Sequence, residues 1–102
     1  KVYRRGYYKS GKYITFYYLE NGLGKNRIGI IVSKKTQKSS VKRNRLKRLV
    51  KESYRDIENL FTGYDMIFLL RKTESLPSFS QVDSEIGYLL KSTGVLKDIE
   101  IG

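Results

Sequence analysis

Ser39-Ser40-Val41-Lys42-Arg43-Asn44-Arg45-Leu46-Lys47-Arg48-Leu49-Val50-Lys51-Glu52-Ser53-Tyr54-Arg55 reads as a helix with one apolar stripe and one strongly basic face. Leu46, Leu49, Val50, Ser53, Tyr54 and Ile57, followed by Leu60 and Phe61, recur at three- and four-residue steps, which gathers them on one side of a helical wheel. Lys47, Arg48, Lys51 and Arg55 fall opposite, with Asn44 beside them and Arg45 at the edge; Arg43 lies nearer the apolar boundary, in the first turn. Ser39 or Ser40 is the expected N-cap. Lys42, Arg43 and Arg45 therefore stand near the helix N-terminus, where the macrodipole opposes each cation by roughly 0.3–1 kcal/mol. A docked anion reverses that balance, because free N–H groups, dipole and guanidinium groups then converge on it.

The flanks of this helix set the fold class. Arg27 to Ser33 is the expected strand before it, with Ile28, Ile30 and Val32 on the bulky face and Gly29 and Ser33 leaving the other face low. Tyr64 to Leu70 is nearly continuously apolar, which predicts a strand buried on both faces. Strand, helix (41–58) and strand then form a βαβ unit with parallel strands. Upstream, Tyr13 to Glu20 alternates: Ile14, Phe16 and Tyr18 share one face, and Tyr13, Thr15, Tyr17 and Leu19 the other. Residues 21–26 read as a hairpin loop that would set the low strand beside Tyr17 and create a trough. Val2 to Gly6 reads as the tail of a helix ending at glycine. Val82, Ile86, Leu89 and Leu90 stripe a last helix capped by Ser78 or Ser80, with Gly94 near its end.

A length of 102 residues suits one domain with a single modest core. The net charge of +11 points to a polyanionic partner. It is unevenly placed: residues 1–51 hold 16 Lys and Arg against one acid, Glu20, whereas residues 52–102 hold 5 against 9 acids. There is no Cys, so disulfides and thiolate metal sites are excluded, and no His, which removes the commonest general base and metal ligand. No run is long and apolar enough to span a membrane, and a cytoplasmic location is expected. The only Met is Met66, so the chain does not begin at a start codon, and a truncated N-terminal helix is expected. In the first twelve residues Lys1, Arg4, Arg5, Lys9 and Lys12 interleave with Tyr3, Tyr7 and Tyr8. That pattern suits single-stranded nucleic acid, since rings stack on bases while cations hold phosphates; the plain alternative is a solvated basic tail with tyrosines packed in the core.

With these residues in view, the chain resembles the protein component of bacterial ribonuclease P. Arg43-Asn44-Arg45-Leu46-Lys47-Arg48-Leu49 matches that family's Arg-Asn-Arg signature without a gap. Leu19-Glu20-Asn21, residues 27–35 ending Ser33-Lys34-Lys35, Gly63-Tyr64-Asp65 and the amphipathic last helix follow in family order, so the resemblance covers essentially the whole chain. One departure is the loop Thr36-Gln37-Lys38-Ser39-Ser40, which lacks the family's usual glycine and is one residue longer. The resemblance implies a single α/β (α+β sandwich) domain over residues 1–102, with a mixed sheet and a left-handed βαβ crossover, like a domain of ribosomal protein S5. General rules alone would choose the right-handed crossover. It also implies that the catalyst is the RNA subunit, which removes the 5′ leader of precursor tRNA with Mg²⁺ bound mainly by RNA, and that the polypeptide alone is inactive. By matching position, Arg43, Asn44, Arg45, Lys47, Arg48 and Lys51 would face the catalytic RNA. Tyr3 and Tyr17 would line the leader cleft, with Lys34 and Lys35 at its rim. The implied partners are ribonuclease P RNA and precursor tRNA, with no membrane, and the isolated chain is expected as a monomer or weak dimer.

Rival readings differ by identifiable residues. A solvated helix face would intersperse signs, yet Glu52 is the only acid between Lys34 and Arg55, against ten basic residues. A plain RNA-binding module would share the charge without needing an aromatic cleft. A nuclease acting alone would need a base or a carboxylate metal site, and the acids are mostly scattered through the acidic half. Asp65 is read as a turn residue at a strand start. A membrane-surface helix would need the apolar stripe that the core requires.

Overall fold

The computed structural model describes residues 6–57 and 63–95. The expected helix tail at Val2–Gly6 and the apolar pair Leu60 and Phe61 lie outside the described residues, save Gly6 itself. The elements are β1 (Tyr7–Ser10), β2 (Ile14–Glu20), β3 (Arg27–Ile31), α1 (Ser40–Arg55), β4 (Tyr64–Leu70) and α2 (Phe79–Ser92). They form an α+β domain with a four-stranded mixed sheet in the order β1-β2-β4-β3. β3 and β4 are adjacent and parallel, as the strand–helix–strand pattern requires, while β1–β2 and β2–β4 are antiparallel.

Sheet order corrects the reading of residues 21–26. They are not a hairpin loop, because β4 lies between β2 and β3. The segment straps across the start of β4 instead. Asn21 N–H donates to the Gly63 carbonyl at 2.7 Å, and Tyr64 N–H donates to Asn26 Oδ1 at 2.9 Å. Gly22 and Gly24 hold positive φ angles of 69° and 73°, which lets the strap turn tightly over that end. The trough beside Tyr17 changes accordingly: Ile67 stands between Tyr17 and Gly29 in a row that runs Tyr8, Tyr17, Ile67, Gly29.

Both helices cover the same face of the sheet. Ile14, Phe16, Met66, Phe68, Leu70 and Val32 meet Leu46 and Val50 of α1 and Val82, Ile86, Leu89 and Leu90 of α2, all buried. Phe16 and Phe68 stack at 5.1 Å between ring centroids. β4 is therefore not buried on both faces, contrary to its apolar run: Met66, Phe68 and Leu70 are buried, and Asp65, Ile67 and Leu69 are half-buried. The one buried hydroxyl between the helices is satisfied, with Ser53 Oγ donating to Asp83 Oδ1 at 2.7 Å.

The caps explain where the helices begin. Ser39 caps α1, its side chain accepting from Lys42 N–H at 3.3 Å. Ser78 and Gln81 make a reciprocal capping box on α2. α1 ends at Arg55, three residues short of the expected 58, on the C-cap Asp56. β1 is an element that the sequence pattern did not reveal. The turn that joins it to β2 is pinned by Glu85 of α2, whose carboxylate accepts from the N–H groups of Lys12, Tyr13 and Ile14 at 2.8, 2.7 and 2.6 Å. Gly11 makes room for this bracket, since a Cβ there would sit 2.5 Å from the Glu85 carboxyl carbon.

Candidate nucleic-acid interface

α1 directs its basic residues along three distinct lines. Asn44, Arg48, Lys51 and Arg55 recur at helical spacing opposite Leu46, Val50 and Ser53, and all four are exposed. Arg45 is exposed at one edge of this row and Lys47 half-buried at the other. Arg55 belongs to the row although it lies outside the matched signature; the spacing from Asn44 and Arg48 was the signal for it. Among the described residues no ion pair involves Arg45, Arg48, Lys51 or Arg55, and the one ion pair seen is elsewhere, between Arg27 and Asp65. The row is thus held as free cations, and α1 carries no acid in its first turn.

Arg43 is different. It is half-buried, and its Nη1 donates to the carbonyls of Gln37 at 3.0 Å and Lys38 at 2.8 Å. Its charge rests on carbonyl dipoles of the preceding loop, which offsets the unfavourable position at the N-terminus of α1. The same loop starts with a turn in which Thr36 and Gln37 N–H donate to the Ser33 carbonyl at 3.1 and 3.0 Å. Ser39 N–H donates to Gln37 Oε1 at 3.1 Å. These side chains close a loop that lacks glycine. Lys34 and Lys35 are exposed in its turn.

The sheet face away from the helices holds the second group. Tyr17 is half-buried, and its ring lies 5.7 Å from that of exposed Tyr8, tilted by 35°. Ile67 and Gly29 continue this row, and Thr15, Leu69 and Ile31 form the next. The result is a shallow apolar surface with an aromatic edge. Lys34 and Lys35 lie past the end of β3, at the rim of this face and away from Tyr17. Tyr3, the other expected cleft residue, lies outside the described residues. Tyr8 joins this row through its pairing with Tyr17, which depends on β1 and so was not legible in the sequence.

The opposite end of this face is closed by a polar clamp. Arg27 Nε and Nη2 donate to the two carboxylate oxygens of Asp65, both at 2.7 Å, and Asn21 Nδ2 donates to Oδ1 at 2.9 Å. The Arg27 hydrogen bonds, then the Asn21 bond, hold the Asp65 carboxyl at about 2, below its ordinary 3.8. Asp65 therefore fixes the strap over β4, in keeping with its reading as a turn residue. Among the described residues no three His, Cys, Asp or Glu side chains converge to hold a metal ion. Among the described residues no helix is long and apolar enough to cross a membrane.

Fold and site together define a small basic α+β domain that presents one helix face of unpaired cations and, apart from it, an aromatic-edged sheet face. The chain belongs to the ribonuclease P protein family, whose profile matches residues 1–94. Ribonuclease P protein components from Clostridium botulinum and Caldanaerobacter subterraneus are each 42% identical to it. The first aligns over 92% of this chain and 86% of its own length, the second over 98% and 86%. The solved ribonuclease P protein from Thermotoga maritima superposes with a TM-score of 0.80 at 28% identity, over 89% of this chain and 86% of that one. The Staphylococcus aureus ribonuclease P protein matches in fold, with a TM-score of 0.82 at 24% identity, over 94% of this chain and 88% of that one. Family membership makes this a protein component of the endoribonuclease of tRNA processing and implies an RNA partner in the holoenzyme.

Proposed function

We propose that this chain binds the catalytic RNA of ribonuclease P through α1 and the single-stranded 5′ leader of precursor tRNA across the open sheet face. The observation that carries the reading is the row of cations on α1 with no paired acid. Asn44, Arg45, Lys47, Arg48 and Lys51, joined by Arg55, meet phosphates of the folded RNA, and Arg43 acts there through the loop it holds. Each phosphate neutralised releases counterions, so affinity falls by about 0.9 log unit per contact for each tenfold rise in salt on a DNA duplex.

On the sheet face Tyr17 and Tyr8 offer rings to unpaired bases, Ile67 and Leu69 supply apolar contact, and Lys34 and Lys35 meet the leader backbone at the rim. Tyr3, outside the described residues, is assigned to leader binding by the family resemblance alone. Hydrolysis belongs to the RNA. The described side chains do not fit a Mg²⁺ site, because no carboxylates cluster and Asp65 is already bound by Arg27 and Asn21. Mg²⁺, bound by the RNA subunit, supplies the chemistry of phosphodiester hydrolysis; the polypeptide lends positive charge and a stacking surface. The protein works in the cytoplasm as a monomer or weak dimer when free of RNA.

Reconstitution with a bacterial ribonuclease P RNA at low Mg²⁺ tests this. The chain should restore 5′ processing of precursor tRNA, and the polypeptide without RNA should cleave nothing. Cleavage by protein alone would overturn the reading. Tyr17→Ala should weaken precursor tRNA about tenfold relative to mature tRNA, the loss of one stacked base. Equal losses for both would make Tyr17 a folding residue.

A further inference from the structure

The tyrosines and lysines of β1 and its turn are only half used by the sheet face just described. Strand alternation sends Tyr8 to that face and Tyr7 and Lys9 to the other, where α2 lies. Tyr7 is 67% exposed and packs its ring 5.7 Å from Tyr18. Lys9 Nζ sits 5.4 Å from the centroid of the Tyr88 ring on α2, and Tyr88 is 56% exposed. Lys12 Nζ sits 5.4 Å from the Tyr13 ring. Between these pairs runs a groove of about 450 Å³, walled by Gly11, Lys12 and Tyr13 on one side and by Ser80, Ser84 and Tyr88 on the other. Its one acid, Glu85, has both carboxylate oxygens turned to three backbone N–H groups, which takes up its acceptor capacity.

We propose that this groove is a second binding site for single-stranded RNA, separate from both α1 and the open sheet face. Two cation–ring pairs in succession match the repeating unit of an unpaired strand, a flat base and an anionic phosphate. Tyr88 and Tyr13 take the bases, with Tyr7 extending the path, while Lys9 and Lys12 take the phosphates. The Ser80 and Ser84 hydroxyls lie where base edges or 2′-hydroxyls can hydrogen-bond. The site lies on the side of β1 away from Tyr17, so it would hold RNA beyond the stretch on the sheet face, or a second strand.

The test needs no catalytic RNA, so its outcome is independent of the ribozyme assignment. A fluorescent hexauridylate is titrated onto the full chain, and a 4-thiouridine version is photocross-linked and mapped by mass spectrometry. Tyr88→Ala and the double variant Lys9→Gln/Lys12→Gln should each weaken binding about tenfold, and Tyr88→Phe should retain it. Cross-links should fall at Tyr7, within residues 9–13 and within residues 79–92. Lys12 and Tyr88 are exposed and Lys9 is half-buried, and unchanged thermal melting separates a lost contact from a lost fold. Loss of binding with Tyr17→Ala alone, with cross-links confined to the sheet face, would overturn the proposal. So would equal affinity for hexathymidylate and hexauridylate together with no effect of Tyr88→Ala.

Discussion

α1 and α2 both start at a capping serine, both lay an apolar stripe on the same face of the sheet, and touch through Ser53 and Asp83, yet their outer faces have little in common. α1 shows Asn44, Arg45, Arg48, Lys51 and Arg55 to solvent; α2 shows Ser80, Gln81, Asp83, Ser84, Tyr88 and Lys91. Folding constrains only the inner half of each helix, through Leu46 and Val50 or Val82, Ile86, Leu89 and Leu90. The outer halves are free to differ, and that freedom is where binding is written. Concentrated like charge on α1 carries a self-repulsion that the fold tolerates, because the inner stripe stabilises the helix independently.

The contrast can be broken most sharply by removing the outer charge of α1. Arg45→Ala/Arg48→Ala/Lys51→Ala should lower affinity for the catalytic RNA by at least about 100-fold at physiological salt and flatten the salt slope by up to about 0.9 per residue, with thermal stability held. Tyr88→Ala on α2 should leave that affinity unchanged, as measured by filter binding across a salt series. Next in size is the bracket that ties α2 to the sheet. Glu85→Gln replaces one accepting oxygen by a donor facing N–H groups, and should cost about 1–3 kcal/mol in urea unfolding.

Within α1 itself, Arg43 and Arg45 should separate. Arg45→Lys keeps a free cation and should retain most RNA affinity. Arg43→Lys loses the planar group that spans two carbonyls and should behave like Arg43→Ala, with faster amide exchange over residues 36–39. Rescue by Arg43→Lys would place that side chain among the phosphate contacts instead. The smallest effect concerns the clamp at the start of β4. Asp65 titrates below its ordinary value in the folded chain, so its contribution is fully present above about pH 4 and is lost as pH falls through about 2. Asp65→Asn should remove that part of the acid limb of a stability–pH curve.

The basic helix was legible because its evidence is local: Leu46, Val50 and Ser53 repeat at helical spacing, and Ser39 precedes them. The parallel pairing of β3 with β4 was legible for a related reason, since a helix between two strands returns the chain in the same direction. Other features were not. Residues 21–26 carry hairpin chemistry yet bridge two strands that are not neighbours, because Asn21 and Asn26 find their partners at Gly63 and Tyr64. β1 looked like a basic tail, because nothing nearby in sequence announces Glu85, more than seventy residues away.

What the sequence by itself determined, then, was every described element but β1, the two-sided character of α1, the excess of positive charge and the family. These follow from periodicity, composition and an ungapped motif, all of which act over a few residues. Only the tertiary structure decided that β4 divides β2 from β3, that Ile67 rather than Gly29 stands next to Tyr17 with Tyr8 on its other side, that Arg43 is held by its own loop, and that Tyr88 meets Lys9. Each of these depends on which distant segments pair. Strand order is chosen by the burial and hydrogen bonding of the whole sheet, a sum that no short stretch contains.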